Sequence, residues 1–138
     1  MARRSLTRAA KYQKLPATGK VRNISVSNMG IQHLEKLLSD PSCEIVPAVN
    51  QIERHPANPS PKLLFYSATE GILSSAYSTR GSTNSKLYSN ETILAIAKAK
   101  DCTPQQVLLQ WGLRNGTSVL PKSVTKERIE SNFNLDWL

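Results

Sequence analysis

The chain has 138 residues, 39% of them hydrophobic, which suits one modest domain with its own core. Its formal net charge of +8 is unevenly spread: seven of the 18 basic residues lie in the first 22 positions, and no acid precedes Glu35. The remainder is nearly neutral, which argues against a nucleic-acid-binding body, and no apolar run approaches the ~18 residues of a bilayer span.

The arm, residues 1–18, carries Arg3, Arg4, Arg8, Lys11 and Lys14. An Arg-rich, acid-free start fits a mitochondrial targeting segment or an anionic-surface patch, but a solvated basic helix leading into the first strand is favoured. With only Tyr12 as an aromatic, the arm lacks the interleaved rings of a nucleic-acid surface. Nucleic acid and membrane are therefore not expected as partners, and the expected setting is cytoplasmic.

Beyond the arm, short apolar runs alternate with helical stretches. Arg22 to Ser27 reads as a strand, and Ile31, Leu34, Leu37 and Leu38 then share one helical face. Ile45 to Ile52 is a second strand, with Pro47 marking its beginning. A helix is predicted over Pro61 to Glu70, closed by Gly71, and a third strand over Ile72 to Tyr77. Gly81 to Asn90 is a polar loop.

Asn90 is placed to cap a helix with Ile93, Leu94, Ile96 and Ala97 as its stripe. Thr103-Pro104-Gln105-Gln106 is the strongest helix start in the chain. Thr103 caps, Pro104 is preset for the first turn, and Gln106 reaches back. That helix carries Val107, Leu108, Trp111 and Leu113 and stops at Gly116. Ser118 to Leu120 is a fourth strand, and a last helix begins at Thr125. Strands separated by helices predict an α/β fold with parallel pairing. Cys43 and Cys102 stand alone, as reduced thiols rather than a disulfide or metal site.

Four segments carry a family likeness. They are Gly19 to Asn28 (GKVRNISVSN), Val49 to Pro56 (VNQIERHP), Gly71 to Ser82 (GILSSAYSTRGS) and Pro121 to Asn132 (PKSVTKERIESN), joined by TPQQVLLQW. In that order and spacing they resemble the aldo-keto reductase family. The resemblance implies a (β/α)8 TIM-barrel-derived fold, represented by about half a barrel: strands five to eight with their helices, within residues 19–138. A complete barrel takes roughly 250 residues. The family's catalytic Asp, Tyr, Lys and His come from the other half, and the 21 residues before Arg22 cannot encode four strands with crossovers. No catalytic residue and no metal ligand is assigned.

The likeness also implies NADP(H) as cofactor and a small carbonyl compound as substrate, provided another chain completes the site. By resemblance, Ser27, Asn28 and Gln51 meet the nicotinamide carboxamide, and Tyr77 stacks on its ring. Ser78 and Ser82 belong to the pyrophosphate loop, where the usual Pro-Leu is replaced by Thr79-Arg80; Arg80 either adds a phosphate contact or points into water. Lys122, Ser123 and Arg128 match the 2′-phosphate set, combining a point charge, a hydroxyl, a guanidinium fork and a helix start. Asn132 matches the adenine contact, although Ser131 replaces its usual acidic neighbour. His33 and His55 have no partners that would make them proton donors. A half-barrel also leaves strand edges open, which predicts self-association.

Overall fold

The computed structural model describes residues 11–81 and 85–135. Most of the basic arm, and Ser82, lie outside them.

Four strands follow chain order in one sheet: β1 (Ser25–Ser27), β2 (Val49–Glu53), β3 (Leu73–Tyr77) and β4 (Ser118–Val119). β1 pairs in parallel with β2, and β3 in parallel with β4. The helices are α1 (Ile31–Leu38), α2 (Pro61–Thr69), α3 (Glu91–Ala99), α4 (Pro104–Arg114) and α5 (Lys126–Phe133). Short 3₁₀ turns occupy Pro16–Thr18 and Lys86–Ser89, the second inside the predicted polar loop. The α/β architecture with a parallel sheet is therefore present. The chain divides into two compact units, residues 1–52 with 61–74 and residues 53–60 with 75–138.

In the first unit, Leu34 and Leu37 of α1 are buried with Ile52 and Ile72. Two strands begin three or four residues inside their predicted starts. β1 begins only at Ser25, and β2 begins at Val49 rather than Ile45. For β2 the reason lies in how Ile45 and Pro47 are engaged. Pro47 has no N–H to give a ladder, and the Ile45 N–H is taken by the Gln13 side chain at 2.6 Å. Gln13 also donates to the Ile45 carbonyl at 2.9 Å, so one buried side chain holds both polar groups of that residue. Gly71 closes α2 in the left-handed region at φ 72, as its position after the helix demands.

In the second unit, α3 and α4 pack through Ile93, Ala97, Val107 and Leu108. Asn90 caps α3 by accepting from the Ile93 N–H. Thr103 and Gln106 form the predicted capping box. Leu94, Ile96 and Leu113, predicted to lie with the apolar faces, are exposed instead. A nine-residue helix turned toward one neighbour buries a narrow stripe, and Ile93 and Ala97 fill it. Gly112 brings α4 close to β4: a Cβ there would lie 2.6 Å from Val119 Cγ1 and 3.0 Å from Thr79 Cγ2. No described helix is long and apolar enough to cross a membrane.

Candidate functional site

The predicted polar residues fall into two groups, one in each unit. In the first unit, the register of β1 against β2 sets Ser27 opposite Gln51. Ser27 Oγ donates to the Gln51 carbonyl at 2.9 Å, and the Asn28 N–H donates to the same oxygen at 2.8 Å. Asn28 turns the chain out of β1 at φ 56, a region that Asn tolerates better than most residues. Strand pairing thus brings these three residues together.

Sequence reasoning overlooked the residue that holds this corner. Asn50, fully buried, accepts from the Met29 N–H at 3.3 Å and donates to the Met29 carbonyl at 2.8 Å. Its place between Val49 and Ile52 in VNQI was visible. On a strand, however, neighbouring side chains point to opposite faces, so the inward partner of Gln51 carries the structural duty.

In the second unit, Tyr77 ends β3 half-buried, and its carbonyl accepts from the Arg54 N–H at 3.2 Å. Beyond it lies a cavity of about 580 Å³. Ser78, Arg80, Lys122, Arg128 and Asn132 all line it, together with Tyr88. Five predicted residues thus meet there, and the sequence did not single out Tyr88. Three of the lining residues are cations, and no lining residue is a carboxylate. Arg128 sits in the first turn of α5, so a helix start adds its unpaired N–H groups to the same region.

Ser123 is not a cavity wall. Its hydroxyl accepts from the Thr125 N–H at 3.2 Å and donates to the Thr125 carbonyl at 3.4 Å, shaping the entry to α5. Thr125 itself makes no side-chain cap. Asn132 is buried, and the end of α5 is tied to α4. Gln106 donates to the Ser131 and Asn134 carbonyls, and Gln110 to Leu135. Arg80 does not stand unattached: its Nη2 donates to the Lys122 carbonyl at 2.7 Å.

Arg54 is a second feature that the sequence did not flag. It is buried, lies 4.5 Å over the Trp111 ring, and donates to the Pro59 carbonyl and to Thr117 Oγ1. Burial lowers its pKa. The stacking on Trp111 and the two donated hydrogen bonds compensate in place of an acid. His33 is exposed, and His55 approaches Glu53 at 3.7 Å. No group of three or more His, Cys, Asp or Glu among the described residues could hold a metal. Cys43 and Cys102 are free thiols, and burial raises the pKa of both.

In the second unit, then, a cavity beside the ends of β3 and β4 carries three cationic residues and no carboxylate among its lining residues. The aldo/keto reductase family model matches residues 9–135, and the chain belongs to that family. It is 42% identical over 123 residues to the Saccharomyces cerevisiae aldehyde reductase YPR1, covering 89% of this chain and 39% of that protein. It is 41% identical over 120 residues to the glycerol 2-dehydrogenase (NADP(+)) of the same yeast, covering 87% of this chain and 38% of that one. MGS-M4, an aldo-keto reductase enzyme from a Medee basin deep-sea metagenome library, superposes with a TM-score of 0.92 at 34% identity, over 99% of this chain and 50% of that one. The aldose reductase from Schistosoma japonicum gives 0.82 at 37% identity, over 91% and 40%. The chain thus spans about two-fifths of the length of these curated relatives.

Proposed function

We propose that this chain is the cofactor-binding, C-terminal half of an NADPH-dependent aldo-keto reductase, a (β/α)8 barrel of which it supplies strands five to eight. The observation that carries the reading is the cavity of the second unit, with Arg80, Lys122 and Arg128 on its walls and no acid among its lining residues. Lys122 and Arg128 beside a helix start, in a cavity with no acid among its lining residues, match a ligand with several phosphates, and a 2′-phosphate adds two charges that NADH lacks. Lys122 and Arg128 are assigned to that phosphate, with Ser123 shaping the loop between them. Ser78 and Ser82 serve the pyrophosphate, and Asn132 serves the adenine. Ser27, Asn28 and Gln51 are assigned to the nicotinamide carboxamide, with Tyr77 as the ring's platform. Relatives named for NADP(+) support a nicotinamide cofactor.

When bound, the cofactor supplies hydride; the chain's own residues bind and orient it. Reduction of an aldehyde or ketone also needs a positioned acid to protonate the oxygen. No described residue is assigned that role. A carbonyl substrate is therefore turned over only when residues 19–138 are completed by a second half. Without completion, the chain is a non-catalytic NADP-binding half-barrel that self-associates through its strand edges. Residues 1–18 are proposed as a solvated arm, and the cytoplasm as the setting.

Titration of the purified chain with NADPH and with NADH, followed by Trp fluorescence, tests the reading. Micromolar NADPH binding at least tenfold tighter than NADH is expected. Absence of binding by a folded sample, shown by a cooperative urea transition, overturns it.

A further inference from the structure

We infer that Arg80 is a positioning residue that sets the preference for a 2′-phosphorylated nucleotide by holding the Lys122–Ser123 peptide, without touching that phosphate itself. The inference rests on the nucleotide reading above and adds to it a residue that acts at a distance.

The segment carrying Arg80 is anchored at its base. Thr79 is buried, and its hydroxyl donates to the Ala76 carbonyl at 3.3 Å. The Gly81 N–H closes the turn on the Ser78 carbonyl at 2.6 Å, with Ser78 at φ 50 and Gly81 at φ 76. Only glycine fits there, because a Cβ on Gly81 would fall 2.1 Å from Ser85 Oγ. From this turn the guanidinium reaches across 42 positions of sequence to the Lys122 carbonyl, at 2.7 Å. A charged donor at that separation makes a strong bond.

A peptide group is planar, so fixing the Lys122 carbonyl also fixes the direction of the Ser123 N–H. The next three residues are held by the Ser123–Thr125 bonds and lead directly into α5, where Arg128 stands in the first turn. Arg80 therefore closes a chain of constraints onto the segment that presents Lys122 and Arg128. Most of that segment is exposed, and exposed cations hold their geometry poorly unless the backbone beneath them is fixed. Holding the segment in place before the ligand arrives lowers the ordering cost of binding. The leucine of the family's Pro-Leu pattern has no donor for this bond.

The test uses Arg80→Leu and Arg80→Gln in the full chain. It combines NADPH and NADH titrations, their salt dependence, and amide hydrogen exchange over residues 122–125 without nucleotide. Arg80→Leu is expected to weaken NADPH about tenfold, the size of one lost hydrogen bond to a charged donor. NADH should change less than about twofold, since only the 2′-phosphate set is loosened. Exchange at Ser123 and Thr125 should quicken, the salt dependence of NADPH binding should keep its wild-type slope, and Arg80→Gln, an uncharged donor, should recover part of the loss. Equal weakening of NADPH and NADH, or a flattened salt slope, would mean that Arg80 meets the shared pyrophosphate, and overturns the inference. Wild-type binding that Arg80→Leu leaves unchanged also overturns it, while the nucleotide reading stands. If the folded wild type binds neither nucleotide, both fall together.

Discussion

The polar corner of the first unit and the cavity of the second differ in how their polar groups are satisfied. Around β1 and β2, the hydroxyl of Ser27, the N–H of Asn28 and the amide of Asn50 are matched to backbone groups of Gln51 and Met29. In the cavity, Arg80, Lys122 and Arg128 are among the lining residues and none of the lining residues is acidic. These corner groups are matched within the chain, while the cavity's cations have no acid among the lining residues. A buried polar group left without its partner costs stability, whereas an exposed cation without one costs almost nothing until a ligand needs it. Loss of the buried Asn50 should therefore show as unfolding, and loss of the proposed phosphate-binding cations as weaker ligand binding.

The largest effect is expected in the cavity. Lys122→Ala/Arg128→Ala removes two charge-assisted contacts and should cost roughly 3–5 kcal/mol of NADPH affinity, with NADH and the urea midpoint little changed. If the midpoint fell along with affinity, the contrast between the two regions would be broken. Next comes Asn50→Leu, which leaves both polar groups of Met29 without their side-chain partner. It should destabilise the chain by about 3 kcal/mol in urea. A neutral result would show that the corner is not held by this side chain.

Gly112→Ala sharpens the comparison, because it strains the scaffold beneath the cavity without touching the cations. Overpacking against Val119 should cost about 1–3 kcal/mol. Thr103→Ala removes the α4 cap and should cost about 1 kcal/mol. Smallest of all, Lys126→Ala breaks the exposed 3.9 Å pair with Glu130 and should shift stability by less than about 0.5 kcal/mol. Thermal or urea unfolding reads all three.

Legibility in the sequence followed the range of the interaction. The capping box at Thr103, the cap at Asn90 and the stop at Gly71 were readable because each is decided within four residues. The parallel α/β class followed from alternating elements. Strand limits were not readable at β2, where a glutamine from the arm takes the N–H of Ile45. The gathering of Ser78, Arg80, Lys122, Arg128 and Asn132 was anticipated only through family likeness, since spacing alone does not bring positions 80 and 122 together.

The sequence by itself determined the helices, their caps, the parallel α/β class and the family, because periodicity, local hydrogen bonding and contiguous motifs are all written along the chain. Tertiary structure alone decided that Asn50 rather than Gln51 holds the β1 corner. It also decided that Arg54 is buried against Trp111, and that Arg80 is spent on the Lys122 carbonyl. Each of these turns on which group lies opposite a side chain after folding, and a long polar side chain takes whichever partner the packed backbone presents.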